Sequence, residues 1–274
     1  MLTRYFLAIA LCIAATAAGA QSPQTDAQRL YGELQWLPPG GSGNLAGKAT
    51  FKASSAYTFL SPADTDKFLK LNGNPPQGSS VTIAPTKGDW FGVLSFASEG
   101  YIKDDETIDA DALLKTLKSQ NSAGNEEKKK QGYQTLTLEG WALAPRYDKQ
   151  NQRLEWGTLL RAEDQSVVVN VSTRILGRSG YTAAVLVTTP ATLDSDLQDF
   201  KTALKSFDYI GGEKYSEWRE GDKVAAYGLG ALVLGGAAAA VSSKGGFKVI
   251  GLALAAAAAA LWAGLKKLLS RKKN

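Results

Sequence analysis

The clearest pattern in the chain is an alternation of apolar and polar residues in its second half. Strand-length runs occupy residues 133–142, 153–161, 166–175 and 180–188, with short polar connections between them. A period of two indicates a strand with one buried face. In the third run that face consists of Val167, Val169, Val171, Thr173 and Ile175. Short connections favour antiparallel hairpins over crossovers, so these runs predict an antiparallel sheet.

A helix-type pattern follows the last of these strands. Thr189 and Pro190 are suited to a helix cap and a first helical turn, and apolar residues then recur at spacings of four and three. This stripe consists of Leu193, Leu197, Phe200, Leu204 and Phe207. We expect it to pack against the apolar face of the sheet.

The first half of the chain combines short strands with further helices. Strand-like runs occupy residues 47–53, 56–60, 81–84 and 90–97. Residues 24–35 and 62–71 have helical patterns, and the breaker cluster at residues 72–76 ends the second helix. Together with the second half, this predicts an α+β fold, mainly an antiparallel β-sheet covered by helices.

The N-terminus has the composition of a secretory signal peptide. Arg4 precedes an apolar stretch at residues 5–15, and the small residues 18–20 form a cleavage site. We expect residues 1–20 to be removed, because an uncleaved anchor would need about 20 apolar residues. Cys12 is the single cysteine and lies inside this segment. The mature chain therefore has neither disulfides nor thiol chemistry.

The C-terminus contains two uncharged apolar stretches. Residues 249–265 end near Trp262 and are followed by the basic tail 266–274, the arrangement of a transmembrane helix with an interfacial aromatic residue. Residues 224–241 are also uncharged but rich in glycine, and they are predicted either to lie against the membrane or to span it. The C-terminus therefore forms one transmembrane helix or a helical hairpin.

Charge distribution favours a single crossing, with the hairpin as the alternative. One span places the basic tail in the cytoplasm, as the positive-inside rule prefers. Residues 21–223 are then an extracytoplasmic α+β domain at the bacterial inner membrane, facing the periplasm. We expect membrane lipid to contact the C-terminal helix.

The basic character of the chain belongs to its tail. Seven basic and no acidic side chains follow Lys223, so removing them and Arg4 from the net charge of +5 leaves residues 21–223 at −3. Nucleic-acid binding needs clustered basic side chains on the domain itself. The composition therefore argues against a nucleic-acid partner.

An acidic stretch between residues 104 and 111 contains five carboxylates, those of Asp104, Asp105, Glu106, Asp109 and Asp111. Asp109 and Asp111 are explained as the N-cap and first turn of a helix. Asp104, Asp105 and Glu106 are either a solvated turn or a binding site for a cation or partner. Their spacing lacks the glycine and distant glutamate of an EF-hand loop, so Ca²⁺ binding is only an alternative.

Asn170, Arg174 and Arg178 form a second polar group of interest. Arg174 is predicted on the non-core face of its strand, and Arg178 in the turn that follows it. Two arginines there could hold a carboxylate or phosphate, or pair with Asp104 and Asp105. The chain has no histidine, which excludes Ser-His-Asp catalysis and imidazole-bound zinc. We expect no metal and no cofactor.

Several motifs are similar to those of a known family. They are GNPP at residues 73–76, GYIKDDE at 100–106, DADALL at 109–114, GW…AP.YD at 140–148, L.W at 154–156, TRILGR.G at 173–180 and GDKVAAYGL…GG at 221–236. The chain thus resembles bacterial membrane-anchored proteins built on a single domain of unknown function. The strands and the following helix also resemble the PsbP/Mog1-type α-β-α sandwich, a likeness of fold that implies no function.

The sequence predicts a membrane-anchored envelope protein that binds an unknown envelope protein or component. The alternatives are a hydrolase that uses the acidic stretch with Arg174 and Arg178, and a Ca²⁺-binding module built on the acidic turn.

Overall fold

The computed structural model describes residues 26–236 apart from residues 73, 75 and 131–134. The predicted signal peptide 1–20, the predicted transmembrane helix 249–265 and the basic tail 266–274 lie outside this part, as do residues 237–241 of the second apolar stretch. Within it, no helix combines the length and the apolar character that crossing a bilayer requires. The segment boundaries inferred from the sequence stay predictions.

The described part contains eleven strands and five α-helices. The strands are β1 (Trp36–Leu37), β2 (Ser42–Leu45), β3 (Ala49–Lys52), β4 (Tyr57–Leu60), β5 (Val81–Pro85), β6 (Phe91–Ala97), β7 (Leu136–Asp148), β8 (Arg153–Ala162), β9 (Val167–Leu176), β10 (Tyr181–Thr188) and β11 (Phe207–Tyr209). The helices are α1 (Asp26–Gly32), α2 (Pro62–Leu71), α3 (Ala110–Lys130), α4 (Leu193–Ala203) and α5 (Leu229–Val233).

Eight strands form one antiparallel sheet in the order β1-β4-β5-β6-β10-β9-β8-β7. The strands β11-β3-β2 form a second, smaller sheet. This arrangement confirms the predicted α+β class with a mainly antiparallel sheet. The hairpins β7-β8, β8-β9 and β9-β10 follow directly from the short polar connections noted above.

Helix α4 and the small sheet cover one face of the large sheet. Phe200, Leu204 and Phe207 pack in one buried cluster with Val171 and Ile175 of β9. The predicted contact between the helical stripe and the sheet is therefore confirmed. The helix is shorter than its stripe, because a 3-10 turn replaces it after Ala203 and Phe207 already belongs to β11.

The opposite face of the sheet is also covered, which differs from the single buried face predicted for β9. Helix α3 crosses the face and bonds to the edge strand, where the Asn121 side chain accepts from the Leu138 N–H at 3.0 Å and donates to the Leu136 carbonyl at 2.9 Å. Helix α5 adds Leu229 and Val233 to a buried cluster there. Long-range packing, which a local pattern does not contain, buries this second face.

Several other boundaries differ from those predicted. Helix α2 spans the predicted residues 62–71, whereas β7 begins later and extends to Asp148. The strands β1, β2 and β11 are not predicted as separate elements. β1 and β11 have only two and three residues, too few for a period of two to be recognised, and β2 has the sequence SGNL, with a single large apolar residue.

Candidate functional site

A cavity lies between α3, the sheet and α5, on the face opposite α4. Its volume is about 60 Å³. The lining residues come from all three layers. They are Leu117, Gln120, Asn121, Leu138, Trp156, Thr158, Leu160, Asn170, Ser172, Arg174, Val185, Val233, Leu234 and Gly235. The cavity is thus mainly apolar, with a polar row along one strand.

The polar row is produced by the alternation of β9. Asn170, Ser172 and Arg174 are two residues apart and therefore share one face of the strand. Ser172 lies opposite Trp156 of β8, and Arg174 lies opposite Ala183 of β10. The two members of the predicted site that line this cavity are therefore Asn170 and Arg174.

Arg174 is a buried cation held between aromatic rings. Its exposed fraction is 7%. The guanidinium carbon lies 4.8 Å from the ring centroid of Trp156 and 5.6 Å from that of Tyr181. Ring faces attract a cation through their quadrupole, and the attraction strengthens when water is excluded. The rings hold the guanidinium in place without neutralising its charge.

No carboxylate in the described part of the chain forms an ion pair with Arg174, and the titratable groups that interact with it there are the neutral hydroxyls of Tyr181 and Tyr227. Within that same part, Nε has no hydrogen-bond partner, while Nη1 donates to the Thr173 carbonyl at 3.4 Å. Burial lowers the pKa of Arg174, and burial raises the pKa of Tyr181. Arginine nevertheless stays protonated in proteins, so the cavity contains an uncompensated positive charge.

Helix α5 forms the roof of the cavity, and the acidic stretch holds it there. The Glu106 carboxylate accepts a hydrogen bond from the Gly230 N–H at 2.9 Å, in the first turn of the helix. A side chain at Gly228 would collide with the same carboxylate. Upstream, the backbones of Tyr101 and Ala225 are joined by a 2.8 Å hydrogen bond. Part of the second apolar stretch thus packs on the domain.

None of the carboxylates of the acidic stretch, Glu106 included, lines the cavity. Asp104 accepts a hydrogen bond from the Tyr147 hydroxyl at 2.9 Å. Asp109 accepts from the Ala112 N–H at 3.0 Å, which confirms its predicted role as the N-cap of α3. Asp105 is exposed on the surface. The carboxylates and Arg174 are therefore not assembled into the single concave site that the hydrolase hypothesis requires.

Arg178 is engaged elsewhere, in the turn after β9. Its Nε and Nη2 donate to the two oxygens of Asp222 at 2.7 and 2.8 Å, and Nη1 donates to the Gly212 carbonyl at 3.2 Å. The hydrogen bonds from Arg178 lower the pKa of Asp222 to about 2. Of the two predicted interpretations, the structure supports an internal ion pair for Arg178. The partner is Asp222 and not Asp104 or Asp105.

A metal site receives no support from the geometry. Among residues 26–236, outside the short gaps named above, no group of three or more His, Cys, Asp or Glu side chains is placed to hold an ion. Three carboxylates of the acidic stretch are bonded to different elements, Asp104 to Tyr147, Glu106 to Gly230 and Asp109 to the start of α3. The acidic stretch therefore acts as a structural connector between elements.

The sequence does not predict that α3 and α5 cover this face of the sheet. The available signal was the pair of apolar stripes, Leu113 and Leu117 in α3 and the run that begins at Leu229. Leu113, Leu114 and Leu117 predict an apolar helix face after Asp109, whereas the later run belongs to the stretch 224–241 that the sequence assigns to the membrane. The ring of Trp156, also in the lining, packs against Arg174.

Comparison with known proteins gives a family but no activity. No curated protein matches the chain. The chain is similar to the solution structure of cyanobacterial PsbP (CyanoP) from Synechocystis sp. PCC 6803, with 14% identity over 65% of this chain and 92% of that chain. The TM-score is 0.36, so we infer neither fold nor function from this likeness. The family model described as "Protein of unknown function (DUF2167)" matches residues 39–266, and the chain therefore belongs to the DUF2167 family.

Proposed function

We propose that this chain is a membrane-anchored domain that binds an anionic group in its cavity and does not catalyse a reaction. The domain faces the extracytoplasmic side of the bacterial inner membrane. One observation carries the proposal, the burial of Arg174 in a cavity without a carboxylate partner among the described residues. Burying an unpaired charge is costly, so an ion from outside the domain is the natural partner.

The lining of the cavity favours binding over catalysis. None of its described residues is a carboxylate, and the chain contains no histidine. General acid–base catalysis uses His, Asp, Glu, Lys, Tyr or Cys within hydrogen-bond reach of the substrate, and no described lining residue is of these types. Apolar walls with a few convergent polar groups are instead typical of ligand sites.

The sequence at both ends supports the proposed location. Residues 1–20 have the composition of a signal peptide, and residues 249–265 that of a transmembrane helix with a basic flank. The described chain ends at Gly236, which leaves a short connection to the predicted span. An anchored domain would thus present its cavity close to the membrane surface.

Anion binding is tested by the thermal unfolding midpoint of the full-length chain in a non-ionic detergent. Acetate, butyrate, phosphate and sulfate are compared at equal ionic strength. At least one of them should raise the midpoint of the unaltered chain and of Arg161→Gln, an arginine that pairs with Glu139 outside the cavity. The same anion should not stabilise Arg174→Gln. Binding is refuted if no anion gives a shift that depends on Arg174.

Anchoring needs a separate experiment, since the domain could bind anions wherever it resides. A green fluorescent protein fused after Asn274 reports the side of the membrane on which the tail lies, and fractionation reports whether the chain is membrane-bound. A fluorescent, membrane-bound fusion is expected. Recovery of the chain in the soluble fraction with residues 1–20 still attached would contradict the proposed location.

A further inference from the structure

The cavity also indicates which anions fit it. We propose that its ligand is a short-chain monocarboxylate, with the carboxylate against Arg174 and the alkyl chain along the apolar wall. This inference rests on the proposed function, because it specifies the ligand of the same site. Four features of the cavity lead to it.

The first feature is the number of charges. Arg174 is the charged member of the fourteen lining residues. A phosphate or sulfate dianion in a buried site usually meets several cations or a row of backbone N–H groups. One guanidinium matches one negative charge, and its planar fork fits the two oxygens of a carboxylate. Among the described residues, the Nε–H of this guanidinium has no hydrogen-bond partner.

The second feature is the set of groups that surround the guanidinium of Arg174. Arg174 is stacked against Trp156 and Tyr181, so its ring-facing sides are covered. Ser172, two residues earlier on the same strand face, places a hydroxyl beside the guanidinium side of the cavity. The polar end of the cavity thus consists of one cation and neutral hydrogen-bonding groups.

The third feature is the apolar part of the cavity lining, called the apolar wall. It is formed by six aliphatic side chains, those of Leu117, Leu138, Leu160, Val185, Val233 and Leu234. An inorganic anion would leave this wall without a partner. An alkyl chain would cover it, and each buried CH₂ group tightens binding by about fourfold.

The fourth feature is size. A cavity of about 60 Å³ has room for roughly four or five water molecules. The matching ligand has about four to six non-hydrogen atoms, which corresponds to acetate through butyrate. Leu117 and Gln120 of α3 and Leu234 and Gly235 after α5 are half-buried lining residues. The opening therefore lies between α3 and the end of α5, which is the route of entry for such a ligand.

Titration calorimetry of the full-length chain in a non-ionic detergent tests the ligand class, with acetate, propionate and butyrate as probes. The dissociation constant should fall about fourfold for each added CH₂ group. Butan-1-ol, which has the alkyl chain but no charge, should bind at least tenfold more weakly than butyrate. Arg174→Gln should weaken butyrate binding at least tenfold, and Arg161→Gln should leave it within twofold.

A second variant keeps the test decisive if Arg174→Gln fails to fold. Ser172→Met retains the cation and fills the cavity, so it should also weaken butyrate binding at least tenfold. Butyrate binding that is unchanged in Ser172→Met or in folded Arg174→Gln would overturn the inference. Phosphate binding that depends on Arg174, without butyrate binding, would overturn the monocarboxylate assignment alone and leave the proposed function intact.

Discussion

The carboxylate of Glu106 accepts a hydrogen bond from the backbone N–H of Gly230 at 2.9 Å, across 124 residues of sequence. The bond joins the acidic stretch before α3 to the helix that roofs the cavity. It explains why Glu106 belongs to a dense run of acids without forming a cation site. A negative charge near the first turn of a helix also interacts favourably with the helix dipole.

Glu106→Ala is expected to loosen the roof. The Gly230 N–H loses its acceptor, and a lost hydrogen bond of this kind costs about 1 kcal/mol. Hydrogen exchange of the backbone amides in α5 should accelerate, while exchange in β9 and β10 stays slow. Asp105→Ala is the control, since this neighbouring carboxylate is exposed, as Glu106 is, but is bonded to no described residue of α5. Equal exchange rates in α5 for both variants would show that Glu106 does not hold the helix.

Replacing the buried cation should not destabilise the domain. Arg174→Met keeps a long side chain against Trp156 but removes a charge that has no carboxylate partner among the described residues. Exchanging a buried charge for an apolar group is often neutral or stabilising, and we expect a gain of about 1 kcal/mol in the free energy of unfolding. Urea denaturation measures it.

The comparison with Arg178 sharpens this prediction. Arg178→Met leaves Asp222 without its bidentate partner, so the urea midpoint should fall. If instead Arg174→Met loses about 2 kcal/mol or more, Arg174 is a structural residue and its burial no longer supports a binding site.

Stability should depend on pH through Asp222. Its pKa is lowered from 3.8 to about 2 by the hydrogen bonds from Arg178. A lowered pKa in the folded state gives a contribution to stability that is present above pH 3.8 and is lost as the pH falls toward 2. The urea midpoints of the unaltered chain and of Asp222→Asn should therefore differ near pH 6 and converge near pH 2. A constant difference between them would contradict the ion pair as its cause.

The turn between β9 and β10 tolerates no side chain at Gly180. A methyl group there would collide with the backbone carbonyl of Ala97 at the end of β6. Because backbone atoms cannot move aside cheaply, Gly180→Ala should lower the free energy of unfolding by about 2 kcal/mol or more. Gly140→Ala is the matched control in β7, where no atom lies within 4 Å of the added group. Thermal unfolding of the two variants should therefore separate clearly.

The sequence predicts the elements whose burial pattern is visible within a single strand or helix. The alternation in β9 and the helical stripe of α4 both reflect burial against one neighbouring layer, and they were recognised. The second covered face was missed because it depends on α3 and α5, which reach β9 only through tertiary packing. Nothing in residues 166–175 alone distinguishes a solvated polar row from one enclosed by helices.

The same limit applies to the candidate site. Arg174 was correctly placed on the face of β9 opposite the main core, but its burial depends on Trp156, Tyr181 and the roof. The partner of Arg178 lies 44 residues away, so sequence proximity could not select Asp222 over Asp104. The strand face on which a charged residue lies follows from the local sequence, whereas its ion-pair partner is determined by the tertiary fold.

The position of α5 gives the chain an unusual mechanical layout. The roof of the cavity is the last described helix, and the predicted bilayer span 249–265 follows it in the sequence. A force on such an anchor, or a change in its tilt, would reach α5 and the cavity before any other described element. The Glu106–Gly230 hydrogen bond would then couple ligand binding in the cavity to mechanical force on the anchor.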